Sequence, residues 1–61
     1  MTLGNRIQEI RTKAGLSQEA FGEKIGVTRQ TVSKWELGQS RPDMDKLIEM
    51  IMNGPILYMK F

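Results

Sequence analysis

The chain contains no cysteine and no histidine, and only two of its 61 residues are proline. It therefore cannot form a disulfide, and it lacks the usual ligands of a structural zinc ion. No apolar run approaches the roughly 20 residues of a membrane span, and residues 1–6 lack the apolar stretch of a secretory signal. We expect a soluble cytoplasmic protein with no metal and no other cofactor, stabilised by helix packing with help from a second copy or a ligand.

The composition is that of one small globular domain. Hydrophobic residues make up 39% and charged residues 26%, a balance that argues against disorder. The formal net charge is +2, which permits nucleic-acid binding but does not require it, since domains of this size often carry such a charge for solubility alone. The position of the charges on the fold therefore matters more than their sum.

Apolar residues recur at helical spacing in four segments, which predict helices at about residues 3–14, 18–25, 29–36 and 43–52. The predicted N-caps are Thr2, Ser17 and Thr28, with Asp43 beginning the fourth helix, and the predicted stops are Gly15, Gly26 and Gly38. The residues expected to face the core are Leu3, Ile7, Ile10, Ala14, Phe21, Ile25, Val32, Trp35, Met44, Leu47, Ile48 and Ile51. The pattern predicts an all-α fold.

The chain divides into a helical domain at residues 1–54 and a short apolar tail at residues 55–61. The tail follows Asn53-Gly54-Pro55 and is too short to be assigned as a strand or an ordered coil.

The second and third helices are joined by only Gly26, Val27 and Thr28. A glycine supplies the positive φ that such a turn needs, and Gly22 lies where a large side chain would push the two helices apart. Val27, Val32 and Trp35 are expected to fill the angle between the helices. Two short helices joined in this way indicate a helix-turn-helix, whose second helix enters the DNA major groove.

The run Leu16-Ser17-Gln18-Glu19, followed by Gly26-Val27-Thr28, Val32-Ser33-Lys34-Trp35-Glu36 and Gly38, resembles the Cro and phage-repressor-type (XRE-type) helix-turn-helix family. The resemblance covers roughly residues 3–52 and implies a lambda-repressor-like domain of four to five helices that binds double-stranded DNA and regulates transcription. Gly22 stands where the family usually has alanine, which should loosen the helix slightly without altering function. The family often continues into a fifth, dimer-supporting helix, in whose place this chain has residues 54–61.

The third helix offers a polar face for base recognition. At about 100° per residue, Gln30, Ser33 and Lys34 lie opposite the buried pair of Val32 and Trp35, and Arg29 lies in the first turn. Gln can bond adenine through both amide atoms, Arg can do the same to guanine, and Lys34 can reach a guanine or a phosphate. Outside this motif the same residues would be interpreted as a solvated helix face. Within it, we predict that Arg29, Gln30, Ser33 and Lys34 contact bases.

Contacts to the DNA backbone are expected on either side of this helix. Ser17 and Gln18 lie at the N-terminus of the second helix, where free N–H groups and the helix dipole favour a phosphate. The resemblance assigns the same role to Gln18, Gln39 and Arg41, although Ser17 could simply cap its helix and Arg41 could be solvated. The predicted set is Ser17, Gln18, Thr28, Thr31, Gln39 and Arg41.

Two further residues are predicted to be structural by resemblance. The family commonly pairs an arginine of the first helix with a glutamate at the end of the third, and Arg11 and Glu36 stand at these positions. Trp35 is expected in the core rather than as a base-stacking platform, and the five methionines as core or interface filler rather than as a metal site.

An enzyme is not expected, because the chain has no His, Cys or glycine-rich phosphate loop and little room for a small-molecule substrate. The alternative is a protein-interaction module such as an antitoxin or accessory domain; RNA binding is a weaker alternative, since no exposed aromatic platform is evident.

We expect a homodimer on a DNA operator, and a protein that is bacterial or phage-encoded and nucleoid-associated when bound. Residues 56–61 could form the dimer contact or fold back onto the fourth helix.

Overall fold

The computed structural model describes residues 2–52, which form four α-helices and, within this range, no strand. The helices are α1 (Leu3–Lys13), α2 (Gln18–Ile25), α3 (Arg29–Leu37) and α4 (Met44–Met52). The all-α prediction is confirmed, with three helix ends shifted by one residue. No helix of the described range is long and apolar enough to cross a membrane. The predicted tail at residues 55–61 lies outside the described residues.

Each helix is capped at its N-terminus by a side-chain oxygen, which accepts a hydrogen bond from the backbone N–H three residues further on. The accepting residues are Thr2, Ser17, Thr28 and Asp43, at donor–acceptor distances of 3.1, 3.0, 3.2 and 2.9 Å. α2 and α3 end at glycines in the left-handed conformation, Gly26 and Gly38, both with φ of 79°. Polar caps and glycine stops are local signals, and this explains why the sequence predicts the ends of the helices to within one residue.

One apolar core joins the four helices. Its fully buried members are Ile7, Phe21, Ile25, Val32, Trp35 and Met50, and the partly buried residues packed against them are Leu3, Ile10, Leu16, Val27 and Leu47. The stripes predicted for the first three helices are therefore confirmed except at Ala14, which lies beyond the end of α1 and outside this cluster. The burial of Trp35 is confirmed as well, with an exposure of 4%.

The prediction for the fourth helix was wrong at two positions. Met44 and Ile48 were expected in the core but are 68% and 49% exposed. The apolar stripe of α4 is wider than the surface that the other helices offer it, so Leu47 and Met50 pack inward while Met44 and Ile48 remain beside them in contact with solvent. Leu37, at the end of α3, is also 68% exposed.

Two glycines allow unusually close packing. A Cβ on Gly4 would lie 2.6 Å from the Trp35 carbonyl oxygen and 2.7 Å from that of Glu36, so α1 contacts the backbone at the end of α3 directly. A Cβ on Gly22 would lie 2.5 Å from the Val27 carbonyl oxygen, which places the turn itself, rather than the body of α3, against α2. The close approach expected at Gly22 is thus confirmed, with the turn rather than the body of α3 as the neighbour.

Polar contacts from Lys46 connect α4 to the helix-turn-helix. Its ammonium lies 2.9 Å from the Ile25 carbonyl oxygen and 3.3 Å from the Glu49 carboxylate. A cation at the C-terminus of α2 also interacts favourably with the helix dipole. This contact fixes the start of α4 beside the turn that precedes α3.

Candidate nucleic-acid interface

The outward face of α3 forms a shallow open groove that contains all four predicted base-contacting residues. The groove is lined by Arg29, Gln30, Ser33, Lys34 and Gln39. Arg29, Gln30 and Lys34 are exposed and Ser33 is half-buried, so the longer side chains project from a surface whose floor is the serine. The lining carries two cations and no carboxylate. Such a surface favours an anionic partner with hydrogen-bonding groups.

The start of α3 is held by a pair of threonines. The Thr28 hydroxyl oxygen accepts the Thr31 N–H at 3.2 Å, and the two hydroxyl oxygens lie 3.0 Å apart in a hydrogen bond. Thr28 is exposed and Thr31 is half-buried. A hydroxyl has one donor and two acceptor sites, so one donor of this pair is used internally while the other can face a ligand.

The predicted contact residues at the start of α2 already have partners within the protein. The Ser17 hydroxyl caps the helix, and the Gln18 side-chain amide donates to a carboxylate oxygen of Glu36 at 3.1 Å. Gln18 is half-buried, and its bond to Glu36 uses only one of its two amide hydrogens. The second amide hydrogen and the first N–H groups of α2 are donors of the kind that a phosphate accepts. Glu19 in the same turn is exposed and opposes an anion there.

Behind the groove, α1 and α3 are joined by the expected ion pair. Arg11 Nε donates to Glu36 Oε2 at 2.6 Å and Arg11 Nη2 to Glu36 Oε1 at 3.3 Å. The guanidinium also donates to the Leu16 carbonyl oxygen at 2.9 Å, and the paired side chains are only 13% and 7% exposed. The end of α3 is thereby fixed to α1 and, through Gln18, to the start of α2. The Gln18 bond was not foreseen, because its sequence position suggested only an outward role.

The loop after α3 divides its residues between two sides. Gln39 lies in the groove beside Lys34, whereas Gly38, Ser40 and Arg41 line a separate depression with Trp35 and the first residues of α1. The Gln39 N–H donates to the Lys34 carbonyl oxygen at 2.9 Å, which closes the turn after α3. Gln39 and Arg41, predicted together as backbone contacts, therefore face different parts of the surface.

The comparison with known protein families agrees with this geometry. The helix-turn-helix family profile matches residues 7–51, a range that begins within α1 and ends within α4. The chain belongs to the XRE-type helix-turn-helix family. This is a family of transcriptional regulators rather than of enzymes, and no solved structure matches the chain significantly.

Curated relatives of this helix-turn-helix chain include bacterial and phage regulators. A helix-turn-helix-type transcriptional regulator of Sinorhizobium medicae is 40% identical over 58 residues, which cover 92% of this chain and 42% of the relative. The regulator YgzD of Bacillus subtilis is 48% identical over 40 residues (66% of this chain, 61% of the relative). Repressor protein C2 of Salmonella phage P22 is 31% identical over 48 residues (79% and 22%). The chain thus spans about two-fifths of the Sinorhizobium relative's length.

Proposed function

We propose that this domain binds double-stranded DNA in a sequence-specific manner and regulates transcription, with α3 in the major groove. The observation that carries the proposal is the groove on α3, where Arg29, Gln30, Ser33 and Lys34 lie together on the helix that this motif presents to DNA. Arg and Gln are the side chains best suited to bidentate bonds with guanine and adenine. In this proposal Arg29 and Gln30 read base edges, Lys34 reads a guanine or binds a phosphate, and Ser33 contacts the base opposite the groove floor.

The proposed backbone contacts lie around this helix. Gln18 offers the first N–H of α2 and the second hydrogen of its side-chain amide, Ser17 its hydroxyl, and Arg41 a full positive charge from the loop before α4. Thr28 and Thr31 contribute the hydroxyl donor that their mutual hydrogen bond leaves open. Because the bonds within the protein already fix Ser17, Gln18 and Thr28, these contacts would need little ordering on binding.

We further propose that two copies bind one operator in the cytoplasm, at the nucleoid. A single helix-turn-helix contacts few base pairs, and two-fold operators normally use two copies about one helical turn apart. The exposed apolar side chains of Met44 and Ile48 on α4 support an association, since they leave an apolar face that a second copy or the chain's own tail would cover.

The first experiment is selection from a random double-stranded DNA library at about 150 mM salt, where purely electrostatic binding is weakened. An enriched inverted repeat is the expected result. The selection is repeated with Arg29→Ala and with Gln30→Ala, each of which should relax the preference at its own base pair by about 1–3 kcal/mol. No enrichment from folded protein would refute the DNA-binding proposal and favour a protein-interaction module.

The dimer proposal is tested by sedimentation of the chain with and without residues 56–61. Loss of the dimer on deletion would support the tail as the interface. A truncated chain that still dimerises would exclude the tail and leave the exposed face of α4 as the contact. An enriched single half-site together with a monomeric chain would retain DNA binding and remove the dimer.

A further inference from the structure

The side chain of Gln39 lies where the recognition groove ends. α3 stops at Leu37, and Gly38 turns the backbone with a φ of 79°. This turn brings residue 39 back beside Lys34, and the Gln39 side chain lines the same groove as the four base-contacting candidates. The resemblance to the family assigned this residue to the DNA backbone, but its position is that of a fifth member of the recognition face.

The main alternative for Gln39 is a contact between its backbone N–H and a phosphate, and the hydrogen bonds of the loop argue against it. The Gln39 N–H is used by the Lys34 carbonyl oxygen at 2.9 Å, and the Ser40 N–H points to the same oxygen at 3.4 Å. The loop backbone at these two residues therefore has no unused N–H for a phosphate. Any contact that Gln39 makes with DNA must come from its exposed side chain.

The chemistry of that side chain matches a base edge better than a phosphate. A glutamine amide has a donor and an acceptor side by side, which fits the N6 donor and N7 acceptor of adenine, whereas a phosphate accepts only. The cationic residue of the loop, Arg41, lies on the other side with Ser40 and the start of α1. The loop thus presents an amide suited to a base edge on one side and a cation suited to a phosphate on the other.

We propose that Gln39 is a specificity-determining residue that reads one base pair, preferentially adenine, next to the bases read by α3. This inference rests on the DNA-binding function proposed above. It assigns to the domain a base contact from outside the recognition helix, and it leaves Arg41 as the backbone contact of the loop.

The test compares the DNA motifs selected by the wild type, Gln39→Ala and Gln39→Glu. Gln39→Ala should lose the preference at one base pair per half-site, by on the order of tenfold, and leave the other positions unchanged. Gln39→Glu should change that preference towards cytosine, because a carboxylate accepts from the cytosine N4 amine. The affected base pair should differ from the one altered by Gln30→Ala.

The matched controls are Gln8→Ala and Gln8→Glu on the exposed surface of α1, which make the same chemical changes away from the groove. Far-ultraviolet circular dichroism establishes that each variant is folded. If Gln39→Ala binds all DNA sequences more weakly but selects the same motif, Gln39 contacts the DNA backbone and the inference is overturned. The inference is also overturned if Gln39→Ala selects the motif of the wild type with the same affinity. If the wild type itself selects no motif, the DNA-binding proposal fails and this inference fails with it.

Discussion

The two ends of the domain are built differently. At one end α1 contacts α3 backbone to backbone at Gly4, and a nearly buried ion pair between Arg11 and Glu36 joins the same two helices. At the other end α4 packs only one side of its apolar stripe, with Met44 and Ile48 exposed. The end that carries α3 is therefore held rigidly, by a backbone contact and an ion pair with α1, whereas α4 leaves two apolar side chains in contact with solvent.

The largest effect is expected from breaking the ion pair at the rigid end. Arg11→Ala would leave the Glu36 carboxylate, which is 7% exposed, with the Gln18 amide as its remaining partner. Removal of one member of a buried pair costs about 3 kcal/mol or more, which corresponds to a melting temperature lower by on the order of 15 °C in a domain of this size. Thermal melting without DNA measures the loss.

The double variant Arg11→Met/Glu36→Met serves as the comparison, because two apolar side chains leave no charge uncompensated. It should recover a large part of the lost stability. A melting temperature of Arg11→Ala equal to that of the wild type would show that the ion pair contributes nothing to the rigid end.

The next largest loss of stability is expected from disturbing the contact between Gly4 of α1 and the backbone of α3. Gly4→Ala would place a methyl group 2.6 Å from the Trp35 carbonyl oxygen, and neither backbone can yield without moving a helix. Overpacking costs about 1–3 kcal/mol, offset by up to about 1 kcal/mol of helix propensity, so we expect a net loss of about 1–2 kcal/mol in chemical denaturation. Asn5→Ala is the control, because Asn5 lies in the same turn but is exposed, and it should change stability by less than about 0.5 kcal/mol. Equal stability of the two variants would argue against a tight contact.

A smaller loss of stability is expected from removing the hydrogen bond between Lys46 of α4 and the end of α2. Lys46→Met removes the charged bond to the Ile25 carbonyl oxygen, which should cost about 1 kcal/mol because the side chain is partly exposed. Hydrogen exchange should accelerate in α4 more than in α1. The control Glu49→Gln removes only the weaker partner of Lys46, at 3.3 Å, and should cost less than about 0.5 kcal/mol. Uniform acceleration over all helices would mean that α4 does not open separately.

The smallest effect on stability is expected from the two exposed ion pairs of Glu9 on α1, with Arg6 and Lys13. Hydrogen bonds from Lys13 and Arg6 lower the pKa of the Glu9 carboxyl below its ordinary value of 4.5. Because the folded-state pKa is the lower one, these two ion pairs stabilise the fold above pH 4.5, and their contribution disappears as the pH falls through the folded-state pKa. Carboxyl titration by NMR should show the lowered pKa, and about 1 M salt should move it back towards 4.5. An unchanged value in salt would exclude the charge pairs as its cause.

Local signals explain what the sequence could predict. Thr2, Ser17 and Thr28 cap helices because their side chains reach an N–H three residues away, and Gly26 and Gly38 end helices because of their own backbone conformation. The outward positions of Gln30, Ser33 and Lys34 follow from helical periodicity once Val32 and Trp35 are assigned to the core, and Arg29 was added because it lies in the first turn. None of these inferences needs knowledge of how the helices pack.

The features that escaped prediction depend on packing across the chain. The width of the uncovered stripe on α4 is set by the other helices, so periodicity alone placed Met44 and Ile48 inside. The bond from Gln18 to Glu36 joins residues 18 positions apart, and the bond from Lys46 to Ile25 spans 21. Gly4 did leave a signal: a glycine near the start of a helix costs stability relative to alanine, and so suggests a close neighbour.

The span of the ion pair has a consequence for how the domain is made. Arg11 and Glu36 are 25 positions apart, whereas α2 and α3 are joined by only three residues. Closing the longer loop carries the larger entropic cost, so we expect the helix-turn-helix hairpin to form before the ion pair between α1 and α3. During synthesis the ion pair cannot form until Glu36, in the last turn of α3, has left the ribosome.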